Sequence, residues 1–223
     1  MKIQTIFFDL DGTLIDTEPS AVEAARSSFL EWEVPVQSTD ISYVTGRTWE
    51  SAFTYLFSKY SIPLPEEQAK KQILGRYRIL LESNLAIVPG SVQAVESLAS
   101  TFPLGLVSGS KRADILWALK KLNIEHHFKI ILGAEDYPRS KPHPDGYLKG
   151  LDILSAKGDT SLVFEDSTAG ITSGRAAGLW VAAVTSTNHF DQDLSLAHVK
   201  IYDLTLVNVE WVQNLSIDSR PKL

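Results

Sequence analysis

The stretch TIFFDLDGTLIDTEP, Thr5–Pro19, decides how the rest of the chain is read. From Ile3 to Phe8 the residues are β-branched and aromatic without polar alternation, the pattern of a parallel strand buried on both faces. The run ends at two aspartates, Asp9 and Asp11, followed at once by Gly12 and Thr13. An Asp-Gly turn closed by an Asx hydrogen bond accounts for Asp11, but leaves Asp9 without a reason. Two carboxylates this close repel, so one must hold a proton or both must share a cation. A hard cation such as Mg2+, which prefers oxygen ligands and few protein carboxylates, resolves the conflict.

Similar apolar runs recur downstream, at Pro103–Val107, Ile130–Leu132, Leu162–Phe164 and Trp180–Val184. Helical patterns separate them, over Ser91–Ser100, Arg112–Leu122, Pro144–Leu154 and Ala169–Ala177. Strands alternating with helices of this length predict a doubly wound, Rossmann-like parallel sheet covered on both faces, an α/β fold. One region breaks the rhythm. Between about Glu18 and Asn84 the patterns are helical only, over Ala21–Trp32, Thr48–Tyr60 and Glu66–Leu81, punctuated by Pro35, Pro63 and Pro65. The expected organisation is a core of residues 1–16 and 86–223 with a helical insertion at 17–85. The polar tail after Leu215 is expected to fray.

Composition narrows the partners. The chain has 223 residues, 44% of them hydrophobic, enough for a sizeable core. Its net charge is −6 and it has no long basic run, which argues against nucleic acid or an anionic membrane. An anionic small molecule stays compatible, because a metal and a few lysines set the local sign. There is no cysteine, so disulfides and thiol catalysis drop out. The apolar run before Asp9 is too short for a signal peptide or a membrane span. A soluble, cytoplasmic protein is expected, and at this size a monomer.

Three further strand ends carry chemistry-bearing residues. Glu165-Asp166-Ser167 follows an apolar strand, and Asp166 or Ser167 reads as an N-cap for the next helix. Taken with Asp9 and Asp11, the same residues form an acidic metal cluster drawn from two strand ends. Ser108-Gly109-Ser110-Lys111 leads from a strand into a helix, where hydroxyls and backbone N–H groups make an anion site; Ser110 also reads as a plain N-cap. Arg139–Asp145 is a proline-framed loop that can hold the Lys141 ammonium at a fixed point, although a loop lysine is ordinarily just solvated.

These four motifs together, DLDGT at 9–13, VSGS at 107–110, SKPHP at 140–144 and FEDS at 164–167, resemble the haloacid-dehalogenase superfamily. Within it, the chain is similar to the branch of phosphoglycolate phosphatases, sugar-phosphate phosphatases and β-phosphoglucomutase, and the insertion at 17–85 looks like that family's helical cap. The resemblance implies a Mg2+-dependent phosphatase acting on a small phosphorylated metabolite through an aspartyl-phosphate. It makes Asp9 the nucleophile and Asp11 the general acid and base. It assigns Mg2+ to Asp9, the backbone carbonyl of Asp11 and Asp166, with Glu165 either a direct ligand or an acceptor for a metal-bound water. It gives Ser108, with backbone N–H groups of its loop such as that of Gly109, to a phosphoryl oxygen, Lys141 to both Asp9 and the phosphate, and Thr13 to ordering the loop.

The alternative within this branch is a sugar-phosphate mutase. The mutases carry a histidine in the first cap helix, and the matching position here is Ala21, which favours transfer to water. Arg47, in Thr45-Gly46-Arg47-Thr48, falls where the branch places a substrate-specificity loop, and it also reads as a solvated arginine ahead of an N-cap at Thr48. Trp49 is expected in the cap's core. Lys59, Lys70 and Lys71 read as solvated, Arg76 and Arg78 as exposed helix charges. His143 has no assigned role, and His126-His127 reads as a helix end.

Overall fold

A computed structural model describes residues 2–44, 48–189 and 192–215. These divide into two compact units, one of Met1–Ile15 with Ile87–Leu223 and one of Asp16–Ala86. No helix among the described residues is long and apolar enough to cross a membrane.

The first unit is built on a six-stranded parallel sheet. Numbered in chain order, its strands are β1 (Thr5–Phe8), β4 (Leu104–Val107), β5 (Phe128–Leu132), β6 (Ser161–Glu165), β7 (Trp180–Val184) and β8 (Val199–Ile201), arranged β5-β4-β1-β6-β7-β8. All residues of β1, β4, β6 and β7 are buried, as the unbroken apolar runs require. Ile6, Phe7 and Phe8 pair with Leu104, Gly105 and Leu106 on one side and with Leu162, Val163 and Phe164 on the other. The helices are α5 (Ser91–Ala99), α6 (Arg112–Lys121), α7 (Asp145–Ile153), α8 (Thr168–Ala176) and α9 (Val209–Gln213).

The strand order reverses at β1. The chain passes from β1 through β4 to β5 on one side, then returns to build β6, β7 and β8 on the other. In an open sheet of this kind ligands bind beyond the carboxyl ends of the strands flanking the reversal. Those ends deliver Asp9 after β1, Ser108 after β4 and Asp166 after β6.

Several boundaries differ from the sequence reading for identifiable reasons. Strand β8 is short, with Val199 and Ile201 half-buried and Lys200 exposed, a weak period-2 signal at a sheet edge. The two-residue strands β2 (Ile15–Asp16) and β3 (Ala86–Ile87), which pair where the chain passes between its units, are too brief to leave a pattern. His126 and His127 close a single 3-10 turn rather than helix α6. That helix already ends at Lys121, because Asn123 adopts a left-handed φ of 58° and turns the chain.

The second unit is helical: α1 (Glu18–Glu31), α2 (Ser38–Ile41), α3 (Trp49–Lys59) and α4 (Glu66–Ser83). Helix α1 starts three residues before Ala21, with Thr17 as N-cap and Pro19 in its first turn, where a missing N–H costs nothing. Phe29 sits in the centre, with ring centroids of Trp32 and Tyr60 5.4 and 5.7 Å away. Trp49 stacks on Phe53 and meets Tyr77, so it belongs to this core.

The charged residues of this unit are more engaged than their spacing suggests. Lys59 and Tyr55 donate to Asp40 Oδ1, each at 2.7 Å, and Tyr60 donates to Oδ2. Lys70 pairs with Glu66 and Glu67 and is mostly covered, whereas Lys71 is exposed and Lys59, though paired, is exposed as well. Arg76 pairs with Glu31 and Arg78 with Glu82, both half-buried rather than exposed. The reason is geometric: residues three and four apart share a helix face, Glu31 of α1 reaches Arg76 of α4, and Asp40 lies within reach of two turns of α3.

Two predictions follow from this packing. Phe29 is fully buried while Leu30 beside it is 75% exposed. Phe29→Ala should destabilise the protein by about 3–5 kcal/mol and Leu30→Ala by less than about 0.5 kcal/mol, read from urea unfolding followed by circular dichroism. Hydrogen bonds from Lys59, Tyr55 and Tyr60 hold the Asp40 carboxyl at about 2, below its ordinary 3.8. A depressed folded value means that its stabilisation is complete above pH 3.8 and lost as pH falls towards 2. Asp40→Asn should therefore lower stability at neutral pH and flatten the fall in unfolding midpoint across that acid window.

Candidate active site

The loop after β1 folds tightly because Leu10 offers its carbonyl to three amides. Thr13, Leu14 and Ile15 donate to it at 3.2, 2.8 and 3.2 Å. Gly12 makes this possible, with a left-handed φ of 81°, and a Cβ there would run into the Asp166 carboxylate. Thr13, fully buried, donates from Oγ1 to Asp166 Oδ1 at 3.1 Å. Thr187, in the loop after β7, donates to the Gly12 carbonyl at 2.6 Å. The first aspartate loop is thus tied to the ends of β6 and β7.

At its centre lies a buried ammonium. Lys141 Nζ is 2.6 Å from Asp9 Oδ1 and 2.6 Å from Glu165 Oε1. The loop from Arg139 to Asp145 delivers it, pinned by a two-bond contact from Arg139 to Asp145 at 2.9 and 2.7 Å. Tyr147 on α7 donates its hydroxyl to the same Glu165 oxygen. Asp9, Glu165 and Asp166 are all buried, and each brings a carboxylate oxygen within 4.8 Å of the others. Glu165 Oε2 is buried without a hydrogen-bond partner among the described residues.

The electrostatics follow from this crowding. Burial pushes the Asp9 carboxyl up to about 7; Lys141 pulls against it, while Glu165 and Asp11 add to the rise. Burial works to lower the Lys141 ammonium, but Asp9 and Glu165 outweigh it and hold it well above its ordinary value. Lysine therefore stays charged, and the carboxylates still exceed it in number. All-oxygen donors, a carboxylate resisting ionisation and an unpartnered buried oxygen suit a hard divalent cation.

Asp11 stands apart from this triad. Its carboxylate is half-buried and accepts from Ser110 Oγ at 2.6 Å and, weakly, from Ser108 Oγ at 3.4 Å. Ser110 N in turn donates to Ser108 Oγ at 3.0 Å. Ser110 therefore does not cap α6, as its position suggests. The Glu135 carboxylate takes that role, accepting from the Arg112 amide at 3.1 and 3.2 Å. Ser167 caps α8, accepting from Gly170 N at 3.0 Å, which leaves Asp166 for the cluster. Gly109 is exposed, with open space where a side chain would stand.

The first unit thus gathers Asp9, Asp11, Thr13, Ser108, Gly109, Lys141, Glu165 and Asp166 about three strand ends. Lys141 is far from solvated; its ammonium bridges Asp9 and Glu165. Arg47 lies outside the described residues, and Thr48 next to it caps α3 by accepting from Ser51 N. His143 is exposed, and its carbonyl accepts from Ser173. Tyr147 and Thr187 are participants the sequence reading did not name, and Ser110, which it also read as a cap, instead holds Asp11. For Tyr147 a signal exists, since a phenol on the buried face of a helix must find a partner.

A family model for haloacid dehalogenase-like hydrolases matches residues 6–184. The chain belongs to that family of enzymes. It is 30% identical to validoxylamine A 7'-phosphate phosphatase of Streptomyces hygroscopicus subsp. limoneus, over 92% of this chain and 94% of that one. It is 26% identical to a phosphorylated carbohydrates phosphatase of Thermotoga maritima, over 79% of this chain and 82% of that one. Among solved structures, a β-phosphoglucomutase from Clostridium difficile superposes with a TM-score of 0.76 at 23% identity, covering 95% and 96% of the two chains. At that identity the likeness speaks for the fold alone.

Gly12→Ala should lose roughly 1–2 kcal/mol through the left-handed backbone, and more through displacement of Asp166. Gly109→Ala, where a methyl meets nothing, should leave the unfolding midpoint unchanged. A denaturant titration of the two variants checks the contrast.

Proposed function

We propose that the protein is a Mg2+-dependent phosphatase of a small phosphorylated metabolite, a sugar phosphate or a phosphoglycolate-like phosphomonoester, acting through an aspartyl-phosphate on Asp9. The observation that carries this reading is the buried Lys141 ammonium lodged between Asp9 and Glu165, beside Asp166. It marks a place built to collect negative charge. The relatives named for validoxylamine A 7'-phosphate and for phosphorylated carbohydrates support the same reading.

In this reading Asp9 attacks phosphorus and the leaving oxygen takes a proton from Asp11, whose half-buried carboxyl stands at the mouth of the site. Water then attacks the same phosphorus and gives a proton back to Asp11, releasing phosphate and regenerating both aspartates. Ser108 and the Gly109 amide donate to phosphoryl oxygens. Lys141 shifts part of its charge from Glu165 to the phosphate, easing the build-up of negative charge. Thr13 serves by holding Asp166. Asp9, Asp166, the Asp11 carbonyl and Glu165, directly or through water, would hold Mg2+, which when bound offsets the repulsion between a carboxylate and an anionic phosphate. The helical unit, with Arg47, is assigned substrate selection. A net charge of −6 argues against nucleic acid or an anionic membrane as partner, and a cytoplasmic monomer is part of the same proposal.

The test is phosphate release from a panel of phosphorylated sugars, glycolate, glycerol and nucleotides, with Mg2+ and with chelator. Metal-dependent release from a few members is expected. Asp9→Asn should abolish turnover with circular dichroism unchanged. Asp11→Asn should slow both formation and breakdown of the phospho-enzyme by roughly 10²–10⁴. Turnover by Asp9→Asn would sink the covalent route. Consumption of β-glucose 1-phosphate only when a sugar bisphosphate is added would make the protein a mutase, despite Ala21.

A further inference from the structure

We propose that Tyr147 is a positioning residue for the metal centre: its phenol fixes Glu165 so that one carboxylate oxygen serves Lys141 and the other is kept for the shell of a divalent ion. This rests on the phosphatase reading above only through the presence of that ion.

The argument begins with what Glu165 lacks. It is fully buried, so its charge must be compensated within the protein. Both of its donors, Lys141 Nζ and Tyr147 OH, converge on Oε1, and Oε2 has none among the described residues. A carboxylate with both donors on one oxygen has a direction. Lys141 alone cannot set it, since it is shared with Asp9 at the same distance of 2.6 Å. Among the described residues, the phenol donates to Glu165 alone.

Three features make Tyr147 a rigid donor. It is fully buried, and its ring meets Phe7 edge-on at 6.1 Å, which fixes it against β1. The Lys141 ammonium lies 5.2 Å from the ring centroid, so face and hydroxyl both engage the cluster. A phenolic O–H is an ordinary hydrogen-bond donor at neutral pH. Opposite it, Gly170 in the first turn of α8 brings bare backbone against the carboxylate; a Cβ there would overlap all three of its terminal atoms. The carboxylate is held between phenol, ammonium and glycine, with little room to turn.

The test measures Mn2+ binding to resting, chelator-dialysed protein by calorimetry and electron paramagnetic resonance, independently of turnover. Tyr147→Phe preserves the ring and should weaken Mn2+ by about tenfold or more, as loss of a partner behind a metal-ligating group does. In a Glu165→Gln background the same change should alter Kd less than twofold, because the phenol acts through the carboxylate. Gly170→Ala, which displaces Glu165 from the other side and leaves Tyr147 in place, should also weaken Mn2+, and it serves if Tyr147→Phe fails to fold. Wild-type affinity in Tyr147→Phe or in Gly170→Ala would overturn the proposal. So would an undiminished loss in the Glu165→Gln background, or a wild-type protein that binds no Mn2+. Wild-type protein that binds Mn2+ with the predicted dependence on Tyr147, yet releases no phosphate, would sink the phosphatase reading and leave this one standing.

Discussion

The Lys141 ammonium between Asp9 and Glu165 is the contact on which the rest depends. Burying Asp9, Glu165 and Asp166 together is prohibitive without positive charge among them, and Lys141 is the cation the chain itself supplies. Its two partners stand on adjacent strand ends, β1 and β6, so the register of the central sheet sets the distance the ammonium must span. The loop that carries it is fixed at Arg139 and Asp145 and runs directly into α7. Sheet, loop and helix therefore converge on one nitrogen atom.

That arrangement divides two neighbouring aspartates into different environments. Asp9 is buried beside an ammonium and two other carboxylates, and resists ionisation unless further positive charge arrives. Asp11, two residues on, turns to two serine hydroxyls and half-faces solvent. Both aspartates stand on one short loop, which the left-handed Gly12 then closes against Asp166. In the proposed reaction, an acid that exchanges protons with water and a carboxylate that meets an electrophile would need such different surroundings.

What was legible in the sequence was whatever depended on local pattern. The buried strands left unbroken apolar runs, and each carried its acid or hydroxyl at the carboxyl end, so Asp9, Ser108, Glu165 and Asp166 were readable as strand ends. The helical stretch from Glu18 to Asn84 was readable from periodicity. Less legible were contacts made between distant segments. Ser110 looks like a cap and instead holds Asp11 across 99 residues, while Glu135, 23 residues beyond Arg112, caps the helix. Tyr147 looks like ordinary helix core until Glu165 is found beneath it. Lys59 looks solvated because Asp40, 19 residues earlier, gives no hint that it folds back. Strand β8 escaped because an edge strand with one exposed lysine leaves almost no signal.

The ribbon formed by Ile15–Asp16 and Ala86–Ile87 has a consequence for how such a chain can diversify. The chain leaves the sheet unit and re-enters it through two strands that are already paired, so the intervening segment begins and ends at nearly the same point. The entropic cost of closing a loop there grows only slowly with its length. Whatever is inserted, long or short, helical or not, leaves the register of β1 with β4 and β6 untouched. Residues of the inserted segment can then change without disturbing the ammonium, the carboxylates or the strands that hold them.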